Sequence, residues 1–187
     1  MSQTKVNKIA DVKLADILPY CKMPLEAKAL LEGIEDAESG IGILTKNDYL
    51  LPACRVYAQA LPKRESVWWA CMCVFHTTPK DAPEELSAPR VLAEQWVRNQ
   101  KDEVRRAAMD AAKADKLKGP DAWAGAAAFY SGDSISDPKY APNKPAAHLP
   151  GIAVGGAVLL ASLRDDPKRQ KTRLARFLES AQDIAGG

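Results

Sequence analysis

The chain has 187 residues, of which 47% are hydrophobic and 27% are charged, and this composition excludes an intrinsically disordered protein. The formal net charge of +2 is too small to draw nucleic acid or an anionic membrane to the whole surface, although it is compatible with a local basic patch. One domain, residues 1–187, is expected at this length, because a chain of this size can bury a sufficient core.

The first twenty residues contain no apolar stretch of the kind found in secretory signal peptides. We therefore expect a cytoplasmic protein, and we expect residues 1–20 to form a mobile N-terminal arm. No apolar run approaches the ~20 residues that a membrane-spanning helix needs, and the longest, at 149–163, predicts a buried helix. Reduced thiols are the rule in the cytoplasm, so we expect free cysteines at Cys21, Cys54, Cys71 and Cys73.

Helix signals dominate the first hundred residues, where periodicity and turn signals predict helices over 22–34, 44–61, 62–76 and 81–100. Residues 35–43 are predicted to form a turn between the first two helices. Thr45 and Asp48 form a candidate capping box for the second helix, and Asp81 and Glu84 form one for the fourth. The second helix has no single apolar stripe, which predicts burial on several sides.

The second half of the chain is predicted to contain helices over 101–119, 120–132, 151–165 and 166–185. Gly119 is a fitting C-terminal signal for the first of these. Four prolines exclude regular helix through much of residues 131–150, namely Pro138, Pro142, Pro145 and Pro150. This segment is therefore predicted to form a long loop. The elements together predict an all-α fold, a single-domain bundle of antiparallel helical hairpins with a long proline-rich loop.

The segment Glu65–His76, ESVWWACMCVFH, has two interpretations. In a strand, Cys71 and Cys73 would share one face and could contribute to a metal site. In a helix they lie about 200° apart, and only Cys73 and His76 are neighbours, as residues i and i+3. Helical neighbours and Pro62, placed like a first-turn proline, favour the helix. We therefore expect a core helix with buried cysteines, no metal and no cofactor.

Trp68 and Trp69 point about 100° apart on that helix. Either both pack in the core, where tryptophan is usually found, or one of them reaches an edge and anchors a partner. Farther along the chain, Gly151 and Gly155 have GxxxG spacing and are followed by Gly156. These glycines predict a close approach of another helix or of the loop.

The familiar catalytic motifs are absent: GxxxxGK[ST], GxGxxG after a strand, HExxH, CxxC and GxSxG do not occur. His148 lies in the proline-rich loop with Tyr140 nearby, and histidine titrates near neutral pH, so it is a candidate base. No obvious nucleophile accompanies it. We expect no catalytic residues, with an enzyme that uses His148 or a cysteine thiol as the alternative.

The last predicted helix is locally basic, and its arginines share one side opposite an apolar face. A solvated basic face is the ordinary interpretation of such a run. The alternative is contact with an anion or with the phosphates of nucleic acid, through Arg169, Lys171, Arg173 and Arg176.

Three segments occur in an order that resembles an uncharacterised family of small bacterial proteins: LAEQWVRNQKDEVRRAAMDAA, GPDAWAGAAAFYSGDSI and HLPGIAVGGAVLLAS. The resemblance covers roughly residues 60–163, and we associate the family with type VI secretion gene clusters. It implies an accessory or chaperone-like role and transfers no active site.

The leading hypothesis is a non-enzymatic adaptor or co-chaperone that binds a secreted effector or its adaptor in a bacterial type VI secretion pathway. It would shield an apolar partner surface with aromatic anchors and the proline-rich loop, through Trp68, Trp123, Phe129, Tyr130, Tyr140 and His148. The alternatives are a nucleic-acid-binding helical protein that uses the C-terminal basic helix, and the enzyme described above.

Overall fold

The computed structural model describes residues 7–187, which form ten α-helices and two short 3₁₀ helices. The α-helices are α1 (Leu14–Ile17), α2 (Leu25–Ala29), α3 (Ala37–Lys46), α4 (Leu50–Ala60), α5 (Lys63–Phe75), α6 (Glu84–Asn99), α7 (Asp102–Ala114), α8 (Pro120–Tyr130), α9 (Leu149–Leu163) and α10 (Gln170–Gly186). The 3₁₀ helices are Leu18–Tyr20 and Pro167–Arg169. Residues 7–187 contain no strand, and the predicted all-α fold is confirmed.

The centre of the bundle is formed by α8 and α9. Helix α9 packs against α8, α5 and α4, while α8 also contacts α6 and α7. Helix α10 packs across α4, α5 and α9, and one cluster of buried apolar side chains extends from Ile9 to Ala185. Although α9 is strongly apolar, no helix within residues 7–187 has the length and apolarity that crossing a membrane requires.

Residues 7–20 pack on this bundle and do not form the predicted mobile arm. Ile9 is only 1% exposed, and the backbone amide of Lys8 donates a hydrogen bond to the carbonyl of Ala185 at 2.9 Å. The apolar side chains of this segment are buried in the core, and this burial holds the segment against the bundle. Residues 1–6 of the predicted arm lie outside the described residues.

Residues 35–43 are largely helical in α3, where the sequence predicts a turn. Asp36 caps the helix, because its side chain accepts a hydrogen bond from the amide of Ser39 at 2.7 Å. This hydrogen bond lowers the pKa of the Asp36 carboxyl. Gly40 serves packing instead of turning, since a Cβ at this position would lie 2.9 Å from Cδ2 of Leu14.

Neither predicted capping box forms. Thr45 lies within α3, and Asp48 adopts a left-handed conformation, with φ of 66°, in the connection to α4. Helix α6 begins after Pro83 and has no side-chain cap, so Asp81 and Glu84 do not pair as predicted. Helix α4 is nevertheless buried on several sides, as expected from its lack of a single apolar stripe.

Two boundaries in the second half of the chain differ from the predictions. Helix α7 ends at Ala114, followed by Lys116 and Leu117 in left-handed conformations, and Gly119 is the N-cap of α8. The proline-rich loop ends at residue 148, because Pro150 lies in the first turn of α9, where proline is well tolerated.

Candidate partner-binding surfaces

The two adjacent tryptophans of α5 have different environments. Trp69 is fully buried, and its indole Nε1 donates hydrogen bonds to the carbonyl of Phe177 at 2.9 Å and to Oγ of Ser180 at 3.2 Å. Trp68 is 36% exposed. Of the two alternatives left by the sequence, the structure therefore has one tryptophan in the core and the other at an edge.

The cysteines lie in the interior, at Cys21, Cys54, Cys71 and Cys73, and all four are free thiols. Burial raises the pKa of Cys21 to about 12, and it raises the pKa of the other three well above the ordinary value. The thiols are therefore protonated at neutral pH, which opposes the hypothesis of a thiol nucleophile.

The described residues contain no set of metal ligands that would support the metal interpretation of the α5 motif. Cys73 is 1% exposed, whereas His76 lies at the exposed end of α5 with its ring beside that of Phe75. Within residues 7–187, no group of three or more histidine, cysteine or acidic side chains is arranged to hold a metal ion.

Trp68 lies in an open surface depression, here called the Trp68 hollow, of about 450 Å³. Its apolar lining includes Val97 of α6 and Ile184 of α10. Its charged side chains are three exposed cations and one carboxylate, namely Lys8, Arg64, Arg98 and Glu65. The hollow is therefore apolar at its centre and positive at its rim.

Two of the cations are held in place by backbone carbonyls of the hollow. Nε of Arg64 donates to the carbonyl of Val97 at 2.7 Å, and Nζ of Lys8 donates to the carbonyl of Ile184 at 2.8 Å. No ion pair joins either side chain to a carboxylate within residues 7–187. Their charges thus remain available to an anionic group.

A second depression, here called the α9 groove, follows the glycine-rich part of α9. Its volume is about 260 Å³, and it is lined by Tyr20, Lys22, Arg55, Gln59, Trp123, Gly151, Ile152, Gly155, Gly156 and Leu159. Beside it, the rings of His148 and Tyr20 are stacked, with centroids 4.0 Å apart and planes at 7°. His148 is therefore part of an aromatic wall.

The three glycines of α9 have different roles. A Cβ at Gly151 would lie 2.8 Å from the carbonyl oxygen of Ala58, so this glycine allows α4 to approach. A Cβ at Gly156 would lie 2.8 Å from the ring of Trp123, so this glycine seats the indole. The predicted close approach is thus confirmed at both positions, whereas a Cβ at Gly155 would meet only Cγ of Arg55, at 3.7 Å.

The proline-rich segment 131–148, here called the strap, is fastened to α7 by two arginines. Arg105, buried on α7, donates to the carbonyls of Phe129 at 2.9 Å and Ser134 at 2.7 Å. Arg106 donates to the carbonyl of Ser136 at 2.7 Å. These contacts hold the first part of the strap in a defined conformation.

The remaining predicted contact residues are distributed around this strap and the core. Phe129 and Tyr130 are partly buried against the core, with ring centroids 5.5 Å apart. Tyr140 is 66% exposed on the strap. The predicted set of Trp68, Trp123, Phe129, Tyr130, Tyr140 and His148 therefore does not line one common depression.

The basic face predicted on the last helix is partly occupied by contacts within the chain. Arg173 donates to the carbonyls of Ser162 and Arg164 at the end of α9. Lys171 pairs with Asp48 at 2.5 Å, in an exposed ion pair. Arg169 and Arg176 are exposed and have no ion pair within the described residues. Nucleic-acid binding through these residues stays a prediction, with fewer available charges.

The sequence did not single out a cluster of buried charges that joins α6, α8 and the end of α9. Asp121 of α8 pairs with Arg90 at 3.0 Å and also with Arg164, and Arg90 further pairs with Glu94. Arg164 also donates to Oγ1 of Thr78 at 2.7 Å. These contacts fix helix positions beneath the surface and expose little charge.

The cations of the two depressions were also missed. Arg64 and Trp68 are residues i and i+4 on α5, so helical spacing could have paired them. Lys8 and Arg98 come from distant parts of the chain, and no local pattern places them beside Trp68. Arg55 gives no sequence signal, because its groove depends on how α4 crosses α9.

The model of one protein family, described as a family of unknown function (DUF6931), matches residues 41–185. No curated protein and no solved structure matches the chain. The matched range contains Trp68 and α9, whereas Lys8, Tyr20 and Lys22 precede it.

Proposed function

We propose that this chain, which belongs to the family DUF6931, is a non-enzymatic helical adaptor or co-chaperone that binds a protein partner through the Trp68 hollow. The observation that carries the proposal is the 36% exposure of Trp68 beside the fully buried Trp69. An indole at the surface leaves apolar area in water, whereas tryptophan at an interface is among the strongest anchors.

The charges at the rim favour an acidic partner segment. Among the side chains of the hollow, Lys8, Arg64 and Arg98 supply three positive charges, against one negative charge from Glu65. Cations around an apolar centre favour a segment that places an apolar side chain beside Trp68 and carboxylates around it. Such complementarity contributes mainly to the association rate and to specificity.

The size of the hollow limits its role to that of an anchor. A depression of about 450 Å³ receives one or a few side chains, whereas a stable protein interface buries about 1,600 Å² in total. The partner would therefore contact neighbouring parts of α5, α6 and α10 as well. The other five predicted contact residues lie outside this hollow and are not part of the proposed anchor.

The resemblance over residues 60–163 gives the finer part of the proposal. The partner would be a secreted effector, or its adaptor, in a bacterial type VI secretion pathway, and binding would take place in the cytoplasm before secretion. The protein would shield an apolar segment of that partner from water until it is delivered.

A capture experiment in the native host tests this proposal with two matched variants. Trp68→Ala removes the proposed anchor, and Leu25→Ala removes an apolar side chain on α2 that is 81% exposed. Mass spectrometry identifies the proteins retained by each variant. We expect the wild type and Leu25→Ala to retain a component of the secretion machinery or its cargo, and Trp68→Ala to lose it.

The proposal fails if no secretion component is retained by the wild type. It fails equally if Trp68→Ala retains such a component as well as Leu25→Ala does. Circular dichroism of both variants provides the folding control, since both side chains are exposed and neither substitution should change helix content.

A further inference from the structure

The α9 groove has a cationic end, formed by Arg55 and Lys22. Nη1 of Arg55 donates to the carbonyl of Lys22, and this is the single hydrogen bond from its guanidinium within residues 7–187. No carboxylate in the described part of the chain pairs with Arg55. A guanidinium has five N–H donors in a planar fork, so most of them remain for a ligand.

Arg55 is half-buried, and burial lowers its pKa from the ordinary value. Partial removal of a cation from water costs free energy that a nearby anion offsets. The neighbouring Cys21 and Cys54 do not supply that anion, because their thiols are protonated at neutral pH. The surroundings of Arg55 thus favour a negatively charged group from outside the chain.

Apart from Gln59 and the hydroxyl of Tyr20, the rest of the groove is apolar. Ile152 is 41% exposed there, the ring of Trp123 forms one wall, and Leu159 contributes another apolar side chain. The floor at Gly155 has room, since an added Cβ would contact only Cγ of Arg55. An anion that fills this groove therefore carries an apolar group.

The volume limits the size of that ligand. Pockets for drug-sized ligands span roughly 300–1,000 Å³, and the groove, at about 260 Å³, lies below that range. A single apolar group of side-chain size with one anionic end fits this space. A carboxylate matches the planar fork of an arginine, with which it can form two parallel hydrogen bonds.

We propose that the α9 groove binds a small apolar carboxylate, with its carboxylate on Arg55 and Lys22 and its apolar group between Trp123 and Ile152. Two sources share this chemistry, namely a short free acyl carboxylate and the C-terminal residue of a peptide. The site is separate from the Trp68 hollow, so the inference does not depend on the proposed adaptor function.

The full chain labelled with 5-fluorotryptophan provides the test, because its four tryptophans give four ¹⁹F resonances. The probes are hexanoate for the acyl source and N-acetyl-leucine for the peptide source, with hexanamide and N-acetyl-leucinamide as uncharged controls. We expect at least one carboxylate to shift the Trp123 resonance saturably, while the resonance of buried Trp69 stays in place. The Trp123→Phe variant assigns the signal.

Loss of the carboxylate charge is expected to weaken binding by about tenfold or more, since charge-assisted hydrogen bonds are lost. Arg55→Gln is expected to raise the Kd of the bound carboxylate to a similar extent. Lys22→Gln, at an exposed position where unfolding is not expected, should raise it by a smaller factor. Arg98→Gln, in the Trp68 hollow, should leave it unchanged.

Saturation by hexanoate alone or by N-acetyl-leucine alone supports the proposal and identifies the source of the ligand. Three results would overturn it: no saturable Trp123 shift with either carboxylate, equal binding of the amides, or unchanged binding in both Arg55→Gln and Lys22→Gln. The unshifted Trp69 resonance in each variant verifies that its core is intact.

Discussion

Asp121→Ala is expected to lower the free energy of unfolding by about 3–5 kcal/mol, the usual effect of removing one partner from a buried ion pair. The side chain of Asp121 is 6% exposed, and those of its partners Arg90 and Arg164 are 8% and 15% exposed. The substitution leaves two guanidinium groups near the interior without their shared carboxylate. The cost arises mainly because two largely buried guanidinium groups lose this carboxylate, although Arg90 keeps its pair with Glu94.

Urea unfolding followed by tryptophan fluorescence measures this change, with Glu103→Ala as the matched control. Glu103 lies 4.0 Å from Lys101 in a pair whose side chains are 78% and 63% exposed, so its removal should cost less than about 1 kcal/mol. If Asp121→Ala costs no more than Glu103→Ala, the buried cluster does not stabilise the packing of α6, α8 and α9, and the reasoning is wrong.

Gly156→Ala is expected to destabilise the fold by about 1–3 kcal/mol, because the added Cβ would lie 2.8 Å from the Trp123 ring. Gly42→Ala should instead stabilise α3 by about 0.5–1 kcal/mol, because an added Cβ there would meet nothing within 4 Å. Thermal unfolding of the two variants measures both changes. Asp36→Ala should lower the unfolding midpoint at neutral pH. Because the pKa of Asp36 is lower in the folded state, its carboxylate stabilises the fold above the unfolded pKa of about 3.9, and this stabilisation is lost as the pH falls through the folded pKa. Equal unfolding midpoints of the wild type and Asp36→Ala at neutral pH would refute the cap. The four buried thiols should resist iodoacetamide in the native protein at pH 8 and react in urea, and rapid native alkylation would contradict their raised pKa values.

Local sequence patterns predicted correctly those elements in which the local signals and the burial of the side chains favour the same structure. Helix α5 follows from its length and from Pro62, and the separation of Cys71 and Cys73 follows from helical geometry alone. The close approach at Gly151 and Gly156 likewise follows from the cost of glycine in a helix. These features depend on neighbours in the sequence, so the sequence contains the information they need.

Predictions failed where contacts distant in sequence override local preference. The segment 35–43 contains glycines and resembles a turn, but its burial against Leu14 and the Asp36 cap make it a helix. Thr45 and Asp48 have the spacing of a capping box, yet α3 continues through Thr45 and leaves no helix start for them to cap.

The candidate sites show the same limit. A tryptophan at an edge was among the sequence alternatives, and Arg64 is its helical neighbour. Ile184 and Lys8 reach Trp68 only after α10 and the N-terminal segment have docked on α5 and α6. The α9 groove likewise forms only when Arg55 of α4 and Trp123 of α8 are both placed beside α9, and no local sequence pattern encodes this arrangement.

The hydrogen bond between Trp69 and Phe177 has a consequence for synthesis of the protein. Its donor and acceptor are separated by 108 positions in the sequence, and ribosomes add about 5–20 residues per second. On the order of ten seconds therefore separates the synthesis of Trp69 from that of Phe177, whose carbonyl accepts the hydrogen bond. Until α10 is made, α5 is expected to remain open on that side, which makes the nascent chain most dependent on protection during this interval.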